Sequence, residues 1–344
     1  MTTEETSPLV RRYRRLLRIY PAGYRAERGD EIVGTYLDLV DPKRRWPSPA
    51  DAADLLRGGL RERLRGYGAL GLATAVPVAA TLALHTLITL ALFLLLQVEF
   101  ADVRQAELTD RIGPVQTVGA VVWAGWLLVG LVVLALPGRW GRRAALGALL
   151  LTVVVPTVAT LVGQPRPPLF VLIPAAALGL ATLALPDRPG WVGRLLPLVA
   201  AGIGGGTSAA YHLAQGNSDW FTSYRSTPEL LGMAGGLLFG LAVVIAIGRA
   251  AAGDDSGLWT ALLLTVPAGL LGTNQLAQAY WSTRGGGPTW WMLAATAGVV
   301  TLAGATLLAA AITLQAVRHR AVRRRVLAGP CPTCGHHPTP DSPA

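Results

Sequence analysis

Between residues 70 and 314 the chain alternates long apolar runs with short polar interruptions. Eight runs of roughly 18 residues or more carry no Lys, Arg, Asp or Glu deep inside them. An uncharged run of that length matches a hydrocarbon core about 30 Å thick at about 1.5 Å of helix rise per residue. A soluble core helix of comparable length keeps a polar stripe instead. The pattern therefore predicts an all-α fold, a polytopic transmembrane helix bundle of about eight spans, near 70–98, 115–136, 144–163, 169–186, 195–215, 229–248, 258–281 and 289–314. Pro114, Pro137, Pro167, Pro168, Pro186 and Pro288 lie at or near the predicted ends, where a missing N–H breaks no interior helix bond.

The first 69 residues follow a different pattern. Leu9, Val10, Tyr13, Leu16, Leu17 and Tyr20 recur at helical spacing, with Arg11, Arg12, Arg14, Arg15 and Arg18 between them, until Pro21 interrupts the run. A second amphipathic helix is expected over 24–40, with Ile32, Val33, Tyr36, Leu37 and Val40 on its apolar face and Asp41-Pro42 as its stop. Ser48, Pro49 and Asp51 read as a helix start: a capping hydroxyl, a first-turn proline, and an acid near the positive end of the dipole. That third helix carries Leu55, Leu56, Leu60 and Leu64, and Arg57, Arg61, Arg63 and Arg65 crowd its last turns. Cations there suit both the helix C-terminus and anionic lipid head groups. Residues 1–69 are thus expected to form a small N-terminal cytoplasmic helical domain, 70–314 the membrane bundle, and 315–344 a basic cytoplasmic tail.

Composition narrows the function classes. Charged residues make up 15% of the chain, against roughly 25% in soluble domains. A net charge of +10 invites a nucleic-acid reading, but 25 of the 30 Lys and Arg lie in the two tails and in alternate loops. Membrane insertion imposes that distribution, so the expected partner is the lipid bilayer and no direct nucleic-acid contact is expected. Loop 99–113 holds Glu99, Asp102, Glu107 and Asp110 against Arg104 and Arg111, whereas Arg139, Arg142 and Arg143 follow the next span without an acid. The first loop is therefore expected outside and the second inside. With Arg188 and Arg194 in the fourth loop and Arg318, Arg320, Arg323, Arg324 and Arg325 in the tail, eight crossings leave both termini on the cytoplasmic side of the cell's inner membrane. The first seventy residues contain fourteen basic and ten acidic side chains and no apolar stretch of the secretory-signal type.

Some residues within the apolar runs are candidates for more than spanning. Gly232, Gly236 and Gly240 form a tandem GxxxG row, suited to close packing inside the chain or to a homo-oligomer seam. His85 and His212 are the ionisable side chains well inside the runs, and such groups are functional candidates. Two neutral imidazoles bonded to other helices explain them equally, and no acidic companion is visible. Asn274, Gln275 and Gln278 make a polar patch that either ties helices together or faces Tyr211 and His212 across a small membrane pocket, with His85 as a further polar member. The glycines 202 and 204–206 are expected to loosen the fifth span. Trp46, Trp191, Trp220, Trp259, Trp281, Trp290 and Trp291 fall mostly at span ends, where indoles anchor at head-group level.

Near the C-terminus, Cys331, Cys334, His336 and His337 form a C-x-x-C-G-H-H knuckle, half of a zinc ribbon site. A bound zinc ion or a reduced tail without metal both fit it; no other cofactor is expected. The sequence has no phosphate-binding Gly-rich loop, no HExxH and no Gly-x-Ser-x-Gly elbow, and nothing points to an enzyme.

The stretch Leu16-Leu17-Arg18-Ile19-Tyr20-Pro21, followed by Tyr24-Arg25 and Gly29-Asp30-Glu31-Ile32, resembles the start of the HAAS (helical signalling) domains and permease-prefix segments of bacterial membrane proteins. The Arg- and Ala-rich composition is similar to that of actinobacterial chains. The resemblance implies that a PadR-type transcriptional regulator, or another cytoplasmic protein, docks near Tyr24, Gly29, Asp30, Glu31 and Ile32, while the membrane part anchors or senses. The alternative expectation is a permease, either a secondary carrier or the membrane subunit of an exporter with a separate ATPase.

Overall fold

The computed structural model describes residues 8–39, 44–100, 112, 114–136, 138–215, 223–281 and 288–328. Among these the chain is all-helical, without a strand beyond one isolated bridge between Ile112 and Val115. Its contacts divide it into two compact units, 1–73 with 309–344, and 74–308.

In the first unit, α1 (Pro8–Leu16) passes through a 3₁₀ turn (Leu17–Ile19) to α2 (Ala22–Asp38), and α3 (Pro49–Gly66) follows. The periodic apolar positions converge as their spacing requires: Leu9, Val10, Tyr13, Leu17, Tyr20, Val33 and Leu55 form one buried core. Pro21, extended at ψ 147° and lacking an N–H, separates α1 from α2. At the start of α3, Ser48 Oγ accepts from the Asp51 N–H and Asp51 Oδ2 accepts from the Ser48 N–H, each at 3.0 Å, a reciprocal cap. Asp51 Oδ2 also accepts from Tyr13 Oη at 2.9 Å, and Asp54 accepts from Tyr36 Oη at 2.5 Å. Two phenol–carboxylate bonds thereby lace α3 to α1 and α2. The hydrogen bond with Ser48 holds the Asp51 carboxyl below the usual range. Burial, then the Asp51 bond, pushes the Tyr13 phenol up to about 12. Gly59 lets Ile19 approach, since a Cβ there would stand 2.6 Å from Ile19 Cγ2. The unit also takes in the far end of the last helix, whose Gln315 donates to the Gly68 carbonyl at 3.4 Å.

The second unit holds most of the remaining helices. They are α4 (Leu70–Leu94), prolonged by a π-helical turn (Leu95–Glu99), α5 (Gly119–Ala135), α6 (Arg139–Leu161), α7 (Leu169–Thr182), α8 (Trp191–Gln215), a 3₁₀ turn (Tyr224–Ser226), α9 (Pro228–Ala251), α10 (Ser256–Leu271), α11 (Thr273–Trp281) and α12 (Trp290–Ala328). A helix occupies each apolar run predicted from the sequence. Among the described residues four stretches are long and apolar enough to cross a membrane: Leu70–Glu99, Arg139–Leu161, Pro228–Ala251 and Trp290–Val322. The α10–α11 pair together forms a fifth, bent by 63°. α5 and α7 are apolar but short, and α8 is 25 residues long but diluted by its glycines and a polar last turn. α12 continues past residue 314 as unbroken helix, so the predicted tail is helical as far as Ala328.

Trp123, Trp126, Phe93, Leu87 and Ile88 lie at the centre of this unit. The Trp126 indole donates to Thr152 Oγ1 at 3.0 Å, and its ring lies where a Cβ on Gly179 would come within 2.7 Å. Much of the outside is apolar as well. Only 22% of the apolar window of α9 and 11% of that of α12 is buried, leaving Leu237, Val244 and Leu302 more than half exposed. At about 25 cal/mol per Å² of apolar surface, water disfavours such an exterior and hydrocarbon does not.

The packing corrects three expectations. α9 meets α10 through Gly235, where a Cβ would stand 2.5 Å from the Ala268 carbonyl oxygen; of the predicted row Gly232 faces Gln275 of α11, whereas a Cβ on Gly236 or Gly240 would meet nothing within 4 Å. Leu231, Gly235, Leu238 and Ala242 form the buried face, one residue round the helix from the glycine row. Trp259 is 3% exposed, inside the unit rather than anchoring its rim. The glycine run leaves α8 continuous; at Gly204 a Cβ would stand 2.5 Å from the Thr89 carbonyl oxygen, so this glycine permits a close crossing with α4.

Candidate functional site

Glu99 is fully buried at 0% exposure. The wider π turn at the end of α4 buries three consecutive residues, Gln97, Val98 and Glu99, which a regular helix at 100° per residue would spread around its circumference. Glu99 Oε2 accepts from the Thr117 N–H at 2.8 Å, and Oε1 accepts from Thr117 Oγ1 at 2.6 Å and from Tyr224 Oη at 2.5 Å. Behind them the Trp123 indole donates to Tyr224 Oη at 2.8 Å and the Gly119 N–H to Thr117 Oγ1 at 2.9 Å. One turn back, Gln97 Nε2 donates to the Ser208 hydroxyl and carbonyl of α8 at 2.8 and 2.7 Å. No Lys, Arg or His pairs with Glu99 among the described residues. Three neutral donors therefore converge on the carboxyl group, which ties the end of α4 to the start of α5 and to the turn before α9.

This overturns the expectation that the membrane unit holds no buried acid and that Glu99 belongs to an outer loop. Its partners lie 18 and 125 residues away, so no local spacing reveals them. An acid ending an apolar run, two residues after a glutamine, was the signal available.

His85 occupies the middle of α4. Its Nδ1 is tied to the Thr81 backbone, and its buried Nε2 has no hydrogen-bond partner among the described residues. Two cavities meet at Thr81 and His85. One, of about 180 Å³, extends towards Gly138, Gly141 and Pro189; the other, of about 340 Å³, lies between α4, α8 and α9. The second is walled chiefly by Leu, Val, Ile and Ala, and its Thr81, Thr86 and Thr89 hydroxyls each donate to a backbone carbonyl. Its free polar atoms are therefore acceptors.

Neither cavity includes Tyr211, His212, Asn274, Gln275 or Gln278 in its walls. His212 is exposed near the end of α8. Asn274 is buried and accepts from Gln278 Nε2 at 2.6 Å, while Gln275 lies against Gly232. In the helical unit, Tyr24 stacks on Tyr20 at 5.4 Å, Gly29 is buried, and Ile32 packs on the core. Asp30 and Glu31 are left at the surface, Asp30 pairing with Arg14 at 3.2 Å while its side chain stays 91% exposed. Cys331, Cys334, His336 and His337 lie outside the described residues. Among the described residues no three His, Cys, Asp or Glu side chains are grouped to hold a metal ion.

No family model matches the chain, and neither a curated protein nor a solved structure matches it.

Proposed function

We propose that this chain is a multi-pass inner-membrane protein of about eight crossings with both termini in the cytoplasm. In this reading it acts without catalysis, as an anchor or sensor whose basic helical unit docks a transcriptional regulator or another cytoplasmic partner. The carrying observation is the contrast between the units. One has its own small core and leaves an acidic pair, Asp30 and Glu31, on an arginine-rich surface. The other exposes apolar side chains along helices long enough to cross a bilayer. The test is capture of a PadR-type regulator by the detergent-solubilised full chain. Binding lost in the Asp30→Arg, Glu31→Arg double variant supports the reading, and binding unchanged by it rejects the docking surface. Reporter tags at the two ends, if found on opposite sides, reject the even number of crossings.

A permease is the second reading, favoured by a buried carboxyl at Glu99 and by the cavities at His85. A pH gradient that collapses faster across proteoliposomes holding the wild type than across those holding Glu99→Gln supports it; equal rates reject it.

A further inference from the structure

The arginines at the end of α3 are of two kinds. Arg63 donates to the carbonyls of Ile19 and Arg18, and Arg65 pairs with Glu62 at 3.0 Å, so both are held by the fold. Arg57 and Arg61 are exposed and make no hydrogen bond or ion pair with the described residues. Beside them Leu56 and Leu60 are 42% and 56% exposed, although Leu55 of the same helix is fully buried. The spacing turns these four residues into two strips. Leu56 and Leu60 stand one turn apart, Arg57 and Arg61 stand one turn apart, and the strips are offset by about 100° round the helix. α3 ends at Gly66, and α4, which is long and apolar enough to cross a membrane, begins at Leu70. The three residues between span at most about 11 Å, which tethers the end of α3 close to any bilayer that α4 enters.

We propose that the outer face of α3 lies in the head-group layer of an anionic membrane, with Leu56 and Leu60 dipping towards the acyl chains and Arg57 and Arg61 reaching the lipid phosphates. This rests on the membrane-protein reading. Charge selects the occupant: two adjacent unpaired guanidinium groups favour an anionic surface, and an apolar strip beside a cationic one is the arrangement that helices lying at the interface use. Guanidinium also bonds phosphate oxygens in a fork that a single point charge does not reproduce.

The test uses the full chain in lipid nanodiscs, with Cys331 and Cys334 changed to Ser and one spin label placed by Ala53→Cys, an exposed position on the same face of α3. A second label, by Thr35→Cys on exposed α2, serves as the aqueous control. With phosphatidylglycerol present, the label at 53 is expected to collide more often with oxygen than with a water-soluble nickel chelate, the label at 35 doing the reverse. Replacing the lipid with pure phosphatidylcholine, or making Arg57→Glu with Arg61→Glu, is expected to move the label at 53 into water with the melting temperature unchanged. Chelate-accessible labels at 53 in anionic nanodiscs overturn the proposal. So does a depth insensitive to both lipid charge and the arginines, and so does protection from both reagents in lipid-free detergent, which marks a protein contact. Failure of the underlying membrane reading shows separately, as a chain that does not co-elute with nanodiscs.

Discussion

Removing the Glu99 carboxyl tests whether its hydrogen bonds or its burial dominate. Glu99→Ala leaves the Thr117 N–H, the Thr117 hydroxyl and the Tyr224 hydroxyl without their acceptor. An unsatisfied buried donor costs about 1–3 kcal/mol, and the two hydroxyls recover part of that by rotating. Against this stands relief of the cost of burying the carboxyl group, which its hydrogen bonds already offset in part. The expected net loss on Glu99→Ala is about 3–5 kcal/mol. Glu99→Gln keeps the shape and, with its oxygen on the Thr117 N–H, turns its NH₂ group to the Thr117 and Tyr224 hydroxyls, which must rotate from donating to accepting, for a loss of about 1–3 kcal/mol. Tyr224→Phe removes one donor to Glu99 and the acceptor of the Trp123 indole, again for about 1–3 kcal/mol. Because the two residues share a bond, Glu99→Gln with Tyr224→Phe is expected to cost less than the sum of the single changes by about 0.5–3 kcal/mol. Reversible unfolding of purified protein in mixed micelles measures all four. A Glu99→Gln protein as stable as the wild type, with additive double-variant losses, would falsify the view of Glu99 as a tie between three elements.

Smaller perturbations check other parts of the account. Gly235→Ala is expected to destabilise by about 1–3 kcal/mol through overpacking against the Ala268 carbonyl, while Gly236→Ala on the open side changes stability by less than about 0.5 kcal/mol; the reverse order in melting would place the α9 partner elsewhere. His85→Leu removes a buried acceptor that lacks a partner together with the bond to the Thr81 backbone, so the two effects are expected to cancel to within about 1 kcal/mol; a loss well beyond that would mean that Nε2 is bonded as well. Asp51 titrates lower in the fold than its ordinary 3.8, so its contribution is whole above that pH and is lost as pH falls through the folded value. Asp51→Asn is expected to flatten the acid limb of the unit's melting curve, and an unaltered limb counts against the cap. At the alkaline end, Tyr13 ionises near 10.0 unfolded but about 12 folded, so stability declines as pH rises through that interval, and Tyr13→Phe is expected to lessen the decline, burial of Tyr20 and Tyr36 supplying the rest.

Periodicity sufficed for elements and not for partners. The apolar positions from Leu9 to Tyr20 announced both α1 and the face it buries, because helical spacing and burial are the same geometric fact. Ser48 and Asp51 announced their cap for a similar reason: the bonds close within three residues. The glycine row of α9 was legible as a small face, but which face meets α10 depends on how two helices rotate against each other, and Gly235 won that choice. Glu99 was misplaced because charge near the end of an apolar run reads as loop, and only a turn 125 residues on supplies the phenol that keeps it inside. Of the five proposed docking residues, burial claims Tyr24, Gly29 and Ile32 wholly or in part, since one amphipathic helix must serve core and surface together.

The shortness of α7 has a consequence for the lipid around this protein. Its 14 residues reach about 21 Å, some 9 Å less than an average hydrocarbon layer, whereas the 25 residues of α4 reach about 37 Å. Under the eight-crossing proposal no single thickness suits both, and the mismatch would be relieved by dimpling the bilayer beside the short rod and tilting the long one. Reconstitution in a series of phosphatidylcholines of increasing chain length should therefore reveal an optimum on the thin side.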